Sequence, residues 1–367
     1  MPLHWLMVLK HRMPWLAVCL RGLRRLLGMR TVQEFSIAVF AGERPWDVAP
    51  LDASPRPALT RRDVVDVPAA FVADPFLLEH GGGWAMFFEV MRSDDWRGVI
   101  ALATSSDAVA WTYRGVVLDE PFHLSYPHVF AWEDEVYMIP ETFEAGAVRL
   151  YRATRFPTTW VFEQELLTGS HFSDATVFRH DDRWWMFVDM GTKSGSAGSP
   201  PRHDTLHLFF ADDLRGPWTA HPMSPILTAE PRFARPAGRV VEVDGLPVRF
   251  AQECTTAYGL RVHAFEIEEL TPTSYRERRL PRGPVVGPGN AHWNRGGMHH
   301  VDAHRVGSRW LAAVDGWSPR AVIDLRDSPL LARTRILQDA HRAFAATLRP
   351  ERRPTKNNTL SEDTSFD

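Results

Sequence analysis

The sequence predicts an all-β chain folded as a five-bladed β-propeller, with a short N-terminal helix and, after the ring, a C-terminal helix and a disordered tail. One unit of short strands recurs along the chain, and the second strand of each unit ends in an acid. Helical patterns are nearly absent between Phe35 and Trp317. The five acids lie about 50 to 65 residues apart, close to the period of a four-stranded blade. The alternative is a β-sandwich or two small sheets.

Each unit opens with a polar entry residue and an apolar strand, in four of the units at residues 74–78, 126–130, 174–178 and 235–241. A turn rich in Gly or Asp leads to the acid-terminated strand, at residues 84–89, 136–141, 184–189, 248–253 and 310–315. A third strand follows in four units, at residues 99–103, 148–152, 206–210 and 260–265. The fifth unit starts near Met298 and has little sequence left after Trp317. We therefore expect the strand at 35–40 to complete the ring and remove an exposed edge.

Composition bounds the functional classes. Of the 367 residues, 44% are hydrophobic and 24% charged, as in ordinary globular proteins. The formal net charge of −3 gives no reason to expect a nucleic-acid partner. Two cysteines, Cys19 and Cys254, are too few for a disulfide framework, which indicates free thiols and a reducing, cytoplasmic location.

The pattern divides the chain into a basic amphipathic segment (1–33), the propeller (34–327), a surface helix (328–348) and a disordered tail (349–367). The first segment contains no acid before Glu34, and its apolar residues recur at roughly helical spacing. Peripheral contact with an anionic membrane is one interpretation. The alternatives are a helix packed on the domain or a non-native start. Neither a cleaved signal nor a membrane-spanning run is expected.

Several short runs also resemble a known family, at residues 87–90, 118–127, 137–142, 235–239 and 250–254. They resemble the N-terminal domain of plant glucosamine inositolphosphorylceramide transferases and its stand-alone bacterial relatives, over roughly residues 35–317. More distantly, that domain resembles the five-bladed propellers of glycoside hydrolase families 43 and 32. In the plant enzymes the glycosyltransferase is a separate C-terminal domain. The resemblance therefore implies a glycan-related propeller and does not imply sugar transfer.

The repeat aligns polar entry residues that would meet at the mouth of the channel, because the first strand of each blade lines the channel. These are Asp74, Tyr126, Asp174 and Arg235, with His299 or His300 in the fifth blade. Polar groups converging at such a mouth are typical of a ligand site. We expect the ligand contacts to be made by Glu89, Tyr126, His128, Arg235, Trp293, His299 and His300. For Trp293, which could stack on a sugar, packing of its loop onto the ring is an equal alternative.

The hydrolase resemblance implies an Asp base, a second Asp that tunes pKa values and a Glu acid. Asp74 matches the base and Asp174 the second Asp, and the acid candidates are Glu253 and Glu141. The acid departs from the hydrolase pattern, because Glu253 ends a second strand and has an equivalent in every blade. A recurring acid is also explained as a structural device that accepts backbone N–H groups or pairs with an arginine.

No metal is part of the leading interpretation. A divalent ion near His300, Asp302 and His304 is the alternative, since strand alternation places the three on one face. The loop 191–203, rich in Gly, Ser and Pro, is interpreted as a lid or an insertion, and Lys193 within it as a contact for an anionic ligand.

The sequence thus predicts a carbohydrate-active propeller that acts on a glycan or glycolipid in its central channel. Whether a glycosyl bond is hydrolysed or transferred is left open. The alternative is a non-catalytic glycan-binding module that assists a separate glycosyltransferase, and a scaffold using the outer blade edges is a third hypothesis.

Overall fold

A computed structural model describes residues 29–51, 56–191, 203–281 and 283–323, and in these ranges the protein is a five-bladed, all-β propeller, as predicted. Residues 33–319 form one compact unit. The predicted helix in 1–33, the helix at 328–348 and the tail at 349–367 lie outside the described ranges, apart from residues 29–33, which belong to a strand. Within the described ranges, no helix has the length and apolar character needed to cross a membrane.

The chain opens with β1 (Met29–Gly42) and β2 (Val48–Pro50), which belong to the last blade. Blade 1 contains β3 (Ala69–His80), β4 (Gly83–Arg92), β5 (Gly98–Ser105) and β6 (Thr112–Leu118). Blade 2 contains β7 (Ser125–Trp132), β8 (Glu135–Glu141), a short 3-10 helix (Phe143–Ala145), β9 (Ala147–Arg155) and β10 (Thr159–Thr168).

Blade 3 contains β11 (Ser173–His180), β12 (Arg183–Asp189), β13 (Leu206–Ala211) and β14 (Thr219–Ala220). Blade 4 has a divided inner strand, β15 (Arg235–Pro236) and β16 (Val241–Val243), followed by β17 (Leu246–Glu253), β18 (Arg261–Leu270) and β19 (Tyr275–Arg279). Blade 5 has the order β20 (Val301–Val306), β21 (Arg309–Ile323), β1, β2. The N-terminal strand therefore completes the last blade, which confirms the predicted closure of the ring.

The hydrophobic core lies between the blades. Each of five buried clusters takes its residues from two neighbouring blades, so the ring contains five interfaces in place of one central core. Between blades 1 and 2, for example, Phe87 meets Trp160 edge to face at a centroid distance of 5.4 Å. Between blades 3 and 4, Phe187 and Tyr275 lie 6.0 Å apart. Burial of each such ring stabilises the fold by roughly 1.5–3 kcal/mol.

The run Arg235-Pro236-Ala237-Gly238-Arg239 lies along the inner edge of blade 4, where that blade approaches blade 5. A Cβ atom on Gly238 would lie 1.9 Å from the carbonyl oxygen of Val301, and the residue has a φ of +128°. Only glycine fits this approach. The two arginines of the run bind different groups: Arg235 pairs with Asp174 and Glu141, and Arg239 pairs with Asp302.

Arg239 binds deep in the channel, away from the entry residues. Its guanidinium donates to the carboxylate of Asp302 and to the carbonyl oxygens of Leu77 and Val129, at 2.9 and 3.1 Å. Asp302, fully buried, also accepts the N–H of Leu77 at 2.6 Å and contacts His304 at 3.0 Å. One ion pair thereby connects blades 1, 2, 4 and 5.

We predict that Asp302→Asn lowers the free energy of unfolding by about 3–5 kcal/mol, because it leaves the Arg239 guanidinium buried without a counter-charge. Urea unfolding of the full chain, followed by tryptophan fluorescence, measures the change. Glu165→Gln is the control, since Glu165 pairs with Arg149 at 3.2 Å while 37% exposed, and such pairs contribute about 1 kcal/mol or less. Equal effects of the two substitutions would contradict the importance of the inner pair.

Candidate functional site

The predicted ring of entry residues and strand-terminal acids assembles at one end of the blades. The start of each inner strand pairs with the end of the second strand, as the registers Ala73↔Glu89, Ser125↔Glu141 and Ser173↔Asp189 show. Antiparallel pairing therefore brings the two sets of polar side chains together. Six buried carboxyl groups result, those of Asp74, Glu89, Glu141, Asp174, Asp189 and Asp315.

A backbone distortion recurs at the entry positions. Asp74, Tyr126 and Asp174 have φ values of 53°, 46° and 53°, and the strand register shifts at each of them. Such bulges re-aim a backbone group and commonly lie next to functional sites. The freed N–H of Asp74 donates to Asp315 at 3.0 Å, and that of Asp174 to Glu141 at 3.1 Å. In blades 5 and 2, the recurring acid thus connects its own blade to the next.

Arg235 is the positive centre of the mouth. Its Nε donates to Asp174 at 2.6 Å, and its Nη2 donates to Glu141 at 3.1 Å and to Asp174 at 3.2 Å. Gln252 donates to Asp174 as well, at 2.9 Å. Burial raises the pKa of Asp174 to about 7, although Arg235 opposes the rise. Asp174 and Glu141 are therefore held in place by the protein.

Asp74 is less constrained. One oxygen accepts the N–H of Tyr126 at 3.3 Å, and the other lies 3.9 Å from Nδ1 of His299 and 3.8 Å from Nδ1 of His300. Burial raises the pKa of Asp74 to about 7, with Asp315 adding to the rise and His299 opposing it. Asp74 is thus an acid that changes charge near neutral pH.

Glu89 differs from the other acids, because its buried Oε1 has no hydrogen-bond partner. Burial and then the negative charge of Asp74 and Glu141 raise its pKa well above the usual value. Nε2 of His123 lies 3.7 Å from this oxygen. A carboxyl group in this setting is held protonated and is suited to donate a proton.

His299 and Asp315, both from blade 5, form a close pair beside Asp74. Nδ1 of His299 lies 2.8 Å from Asp315, and the N–H of His299 donates to the same oxygen at 3.2 Å. Although burial opposes it, Asp315 raises the pKa of His299. Donor atoms of Asp74, His299 and Asp315 lie within 4.8 Å of one another, the closest approach to a metal-ligand set in the described ranges.

The alternative cation position at His300, Asp302 and His304 is occupied by protein contacts. Asp302 binds the Arg239 guanidinium and His304, so a divalent ion there would face a fixed positive charge. The His300 side chain is buried, neither ring nitrogen has a hydrogen-bond partner, and burial lowers its pKa to about 4. This arrangement does not favour metal binding at the three residues.

Three predicted ligand contacts lie in packed positions. The hydroxyl group of Tyr126 lies 2.7 Å from Oγ1 of Thr176 and accepts the N–H of Gly238 at 2.8 Å, so it connects blades 2, 3 and 4. His128 accepts the N–H of Val177 at 3.3 Å. Trp293 belongs to the cluster between blades 4 and 5, which agrees with the alternative of loop packing.

Glu253 faces away from the mouth. Its carboxylate contacts Nε2 of His263 at 3.1 Å, accepts the hydroxyl of Thr255 at 2.9 Å and lies 3.5 Å from Arg261. Although burial opposes it, the hydrogen bonds from His263 and Thr255 hold its pKa below the usual range. This environment does not favour Glu253 as a proton donor.

The mouth also contains residues that the sequence analysis did not select. Tyr258 is 37% exposed, and Arg235 lies 5.2 Å from its ring centroid. His203 lies 3.0 Å from Asp189 and 2.8 Å from Arg235, at the end of the loop whose Lys193 is outside the described ranges.

His123 belongs to the run 118–127, so its position in a recognised motif was the available signal. Tyr258 follows Glu253 in a Gly-containing turn, and no spacing pointed to it.

Most of the chain matches one known protein family. Residues 31–317 match the family model described as glucosamine inositolphosphorylceramide transferase 1, N-terminal. The chain is 33% identical to glucosamine inositolphosphorylceramide transferase 1 of Oryza sativa subsp. japonica over 300 residues, and 32% identical to that of Arabidopsis thaliana over 310 residues. These matches cover 77% and 79% of this chain, and the chain spans 40% of the length of each relative.

Among solved structures, an exo-1,5-α-L-arabinanase from a bovine ruminal metagenomic library matches with a TM-score of 0.49 and 11% identity, over 68% of this chain and 93% of that one. An α-L-arabinanase of Cellvibrio cellulosa matches with a TM-score of 0.46 and 14% identity, over 68% and 94%. Neither similarity bears on the chemistry of the site. The family match covers most of the chain, and the chain therefore belongs to the family of the N-terminal domain of glucosamine inositolphosphorylceramide transferase 1.

Proposed function

We propose that this propeller acts on a glycan or glycolipid at the mouth of its channel, with Glu89 as proton donor and Asp74 as base. The observation that carries the proposal is the buried Oε1 of Glu89, which has no hydrogen-bond partner and belongs to the strand that pairs with that of Asp74. Two carboxyl groups with different surroundings, one held protonated and one that ionises near neutral pH, are what glycosidic bond cleavage requires.

In the proposed reaction, Glu89 transfers its proton to the leaving glycosidic oxygen while Asp74 takes a proton from the attacking water. The other acids orient the ligand or hold the site, since Asp174 and Glu141 are bound by Arg235. Tyr258 offers an exposed ring on which a sugar face stacks. The names of the relatives join glucosamine, inositol phosphate and ceramide, which supports a glycolipid as the ligand.

A specific observation favours a second candidate, a glycan-binding module that assists a separate glycosyltransferase. The carboxylate of Glu253, a predicted acid, already contacts His263 and Arg261. The Arg235 pair likewise fixes Asp174. In this second function, carboxylates accept hydroxyl hydrogen bonds from the sugar without bond cleavage. Cytoplasmic location and membrane contact through the basic segment 1–33 stay predictions under both functions.

We predict that Glu89→Gln lowers the turnover of a cleavable glycoside about 10²- to 10⁴-fold while ligand binding is retained, because the amide fills the same space and cannot supply the proton. The measurement uses a panel of alkyl glycosides and a glycosyl inositolphosphorylceramide, whose leaving oxygens need the proton, with calorimetry for binding. Glu253→Gln is the matched control, since it ends the equivalent strand and faces away from the mouth. It is expected to leave both quantities unchanged.

Binding without turnover in the native protein would favour the second candidate over the enzyme. Loss of turnover in Glu253→Gln with full activity in Glu89→Gln would overturn the assignment of the acid.

The pKa of Asp74 gives a prediction for stability. Its pKa in the folded state is about 7, above the usual value of 3.8. Between these two values the folded state keeps a proton that the unfolded state has lost, so the stability of the fold falls as the pH rises from the lower value to the higher one. We predict that Asp74→Asn unfolds like the native protein at pH 4 and is more stable than it at pH 8, by roughly 4 kcal/mol. Asparagine suits the left-handed backbone at this position. Chemical denaturation at the two pH values measures the difference, and equal stabilities at pH 8 would contradict the prediction.

A further inference from the structure

A histidine lies beside Glu89, and its surroundings determine which of its ring nitrogens carries the proton. His123 lies in the loop between β6 and β7, and its Nδ1 accepts the backbone N–H of Gly98 at 3.0 Å. A neutral imidazole that accepts at Nδ1 must carry its proton on Nε2. That nitrogen faces Oε1 of Glu89 at 3.7 Å.

The ring is held from several directions. The backbone N–H of His123 donates to Glu144 at 2.8 Å, and Phe143 lies against the ring at a centroid distance of 5.8 Å. The backbone N–H of Leu124 donates to the carbonyl oxygen of Gly98 at 3.0 Å, which ties the loop to β5. His123 therefore presents Nε2 to Glu89 in one orientation.

Gly98 is required for this contact. A Cβ atom on Gly98 would lie 2.8 Å from Cε1 of His123, 2.9 Å from Oε1 of Glu89 and 2.2 Å from the carbonyl oxygen of Leu124. The absence of a side chain at this position lets the histidine and the glutamate approach the same backbone from two sides. Loop, strand and acid thus form one packed unit.

We propose that His123 is the positioning residue for Glu89: its Nε2–H interacts with Oε1 and leaves the acidic proton on Oε2, the oxygen that does not face this histidine. The inference rests on the proposed role of Glu89 as proton donor. The 3.7 Å separation exceeds a hydrogen bond, so in the ligand-free protein the Nε2–H acts on Oε1 through its dipole.

The charged groups around the pair are consistent with a neutral imidazole. Burial lowers the pKa of His123 to about 4, against the attraction of Glu144. The groups that act electrostatically on His123 are Glu144, Arg235 and Arg97, and those that act on Glu89 are Asp74, Glu141, Asp315 and Asp174. His123 therefore acts on Glu89 through the dipole of a neutral N–H group and not as a full positive charge.

Nuclear magnetic resonance tests the proposal on the full chain without a substrate. In protein labelled with ¹⁵N-histidine, the native His123 ring is expected to be the neutral tautomer protonated at Nε2 at pH 7, assigned by its loss in His123→Asn. A ring protonated at Nδ1, or a doubly protonated ring, would overturn the proposal.

The second measurement follows the Glu89 carboxyl carbon in ¹³C-glutamate-labelled protein, assigned by its loss in Glu89→Gln. His123→Asn can still accept the Gly98 N–H but provides no donor where Nε2 stood, so the Glu89 titration midpoint is expected to rise. His123→Gln extends an amide N–H to that place and is expected to restore the native midpoint. A purely structural histidine would give no such rescue, and equal midpoints in all three proteins would refute the positioning role.

The two proposals fail separately. If no glycoside is cleaved but the tautomer and the shifted midpoint are observed, the catalytic function is wrong and the positioning of Glu89 stands as part of a binding site. If glycosides are cleaved and Glu89→Gln is inactive while His123→Asn retains the native pH profile and midpoint, the positioning role is wrong and the function stands.

Discussion

The mouth of the propeller depends on one guanidinium. Six buried carboxyl groups converge there, and burial without compensation is strongly unfavourable for ionised acids. Arg235 donates to both Asp174 and Glu141, which come from two different blades. This shared pair places three blades around one charge. The acids that Arg235 does not reach must be neutralised by protons or by other partners.

The acid that ends the second strand therefore has three different roles among the blades. Glu141 and Asp315 accept the backbone N–H of the next blade and hold neighbouring blades in register. Glu253 stabilises its own blade through His263. Glu89 has neither kind of partner for its buried oxygen, and His123 approaches it from behind. A position that is structural in most blades has become chemically distinct in one.

Stability and function oppose each other at this end of the channel. The left-handed backbone at Asp74 and the crowding of acids cost free energy, and such strain persists only where the surrounding structure supports it. The support comes from deeper in the channel, where Arg239 and Asp302 join blades 1, 2, 4 and 5, and from five apolar interfaces between blades. Gly238, between the two arginines, lets blade 4 approach Val301 of blade 5 closely.

The sequence alone determined the number of blades, the closure of the ring by the N-terminal strand and the convergence of Asp74, Asp174 and Arg235. These follow from repeat length and strand alternation, which are properties of the chain read residue by residue. The sequence did not determine which of these acids lacks a hydrogen-bond partner, because Glu89 and Glu253 end equivalent strands. Only the tertiary structure decided this, because the groups around each carboxylate come from other strands and loops. His263 contacts Glu253, whereas Gly98 and His123 lie against Glu89. An acid's chemistry depends on its burial and its neighbours, and periodicity fixes neither.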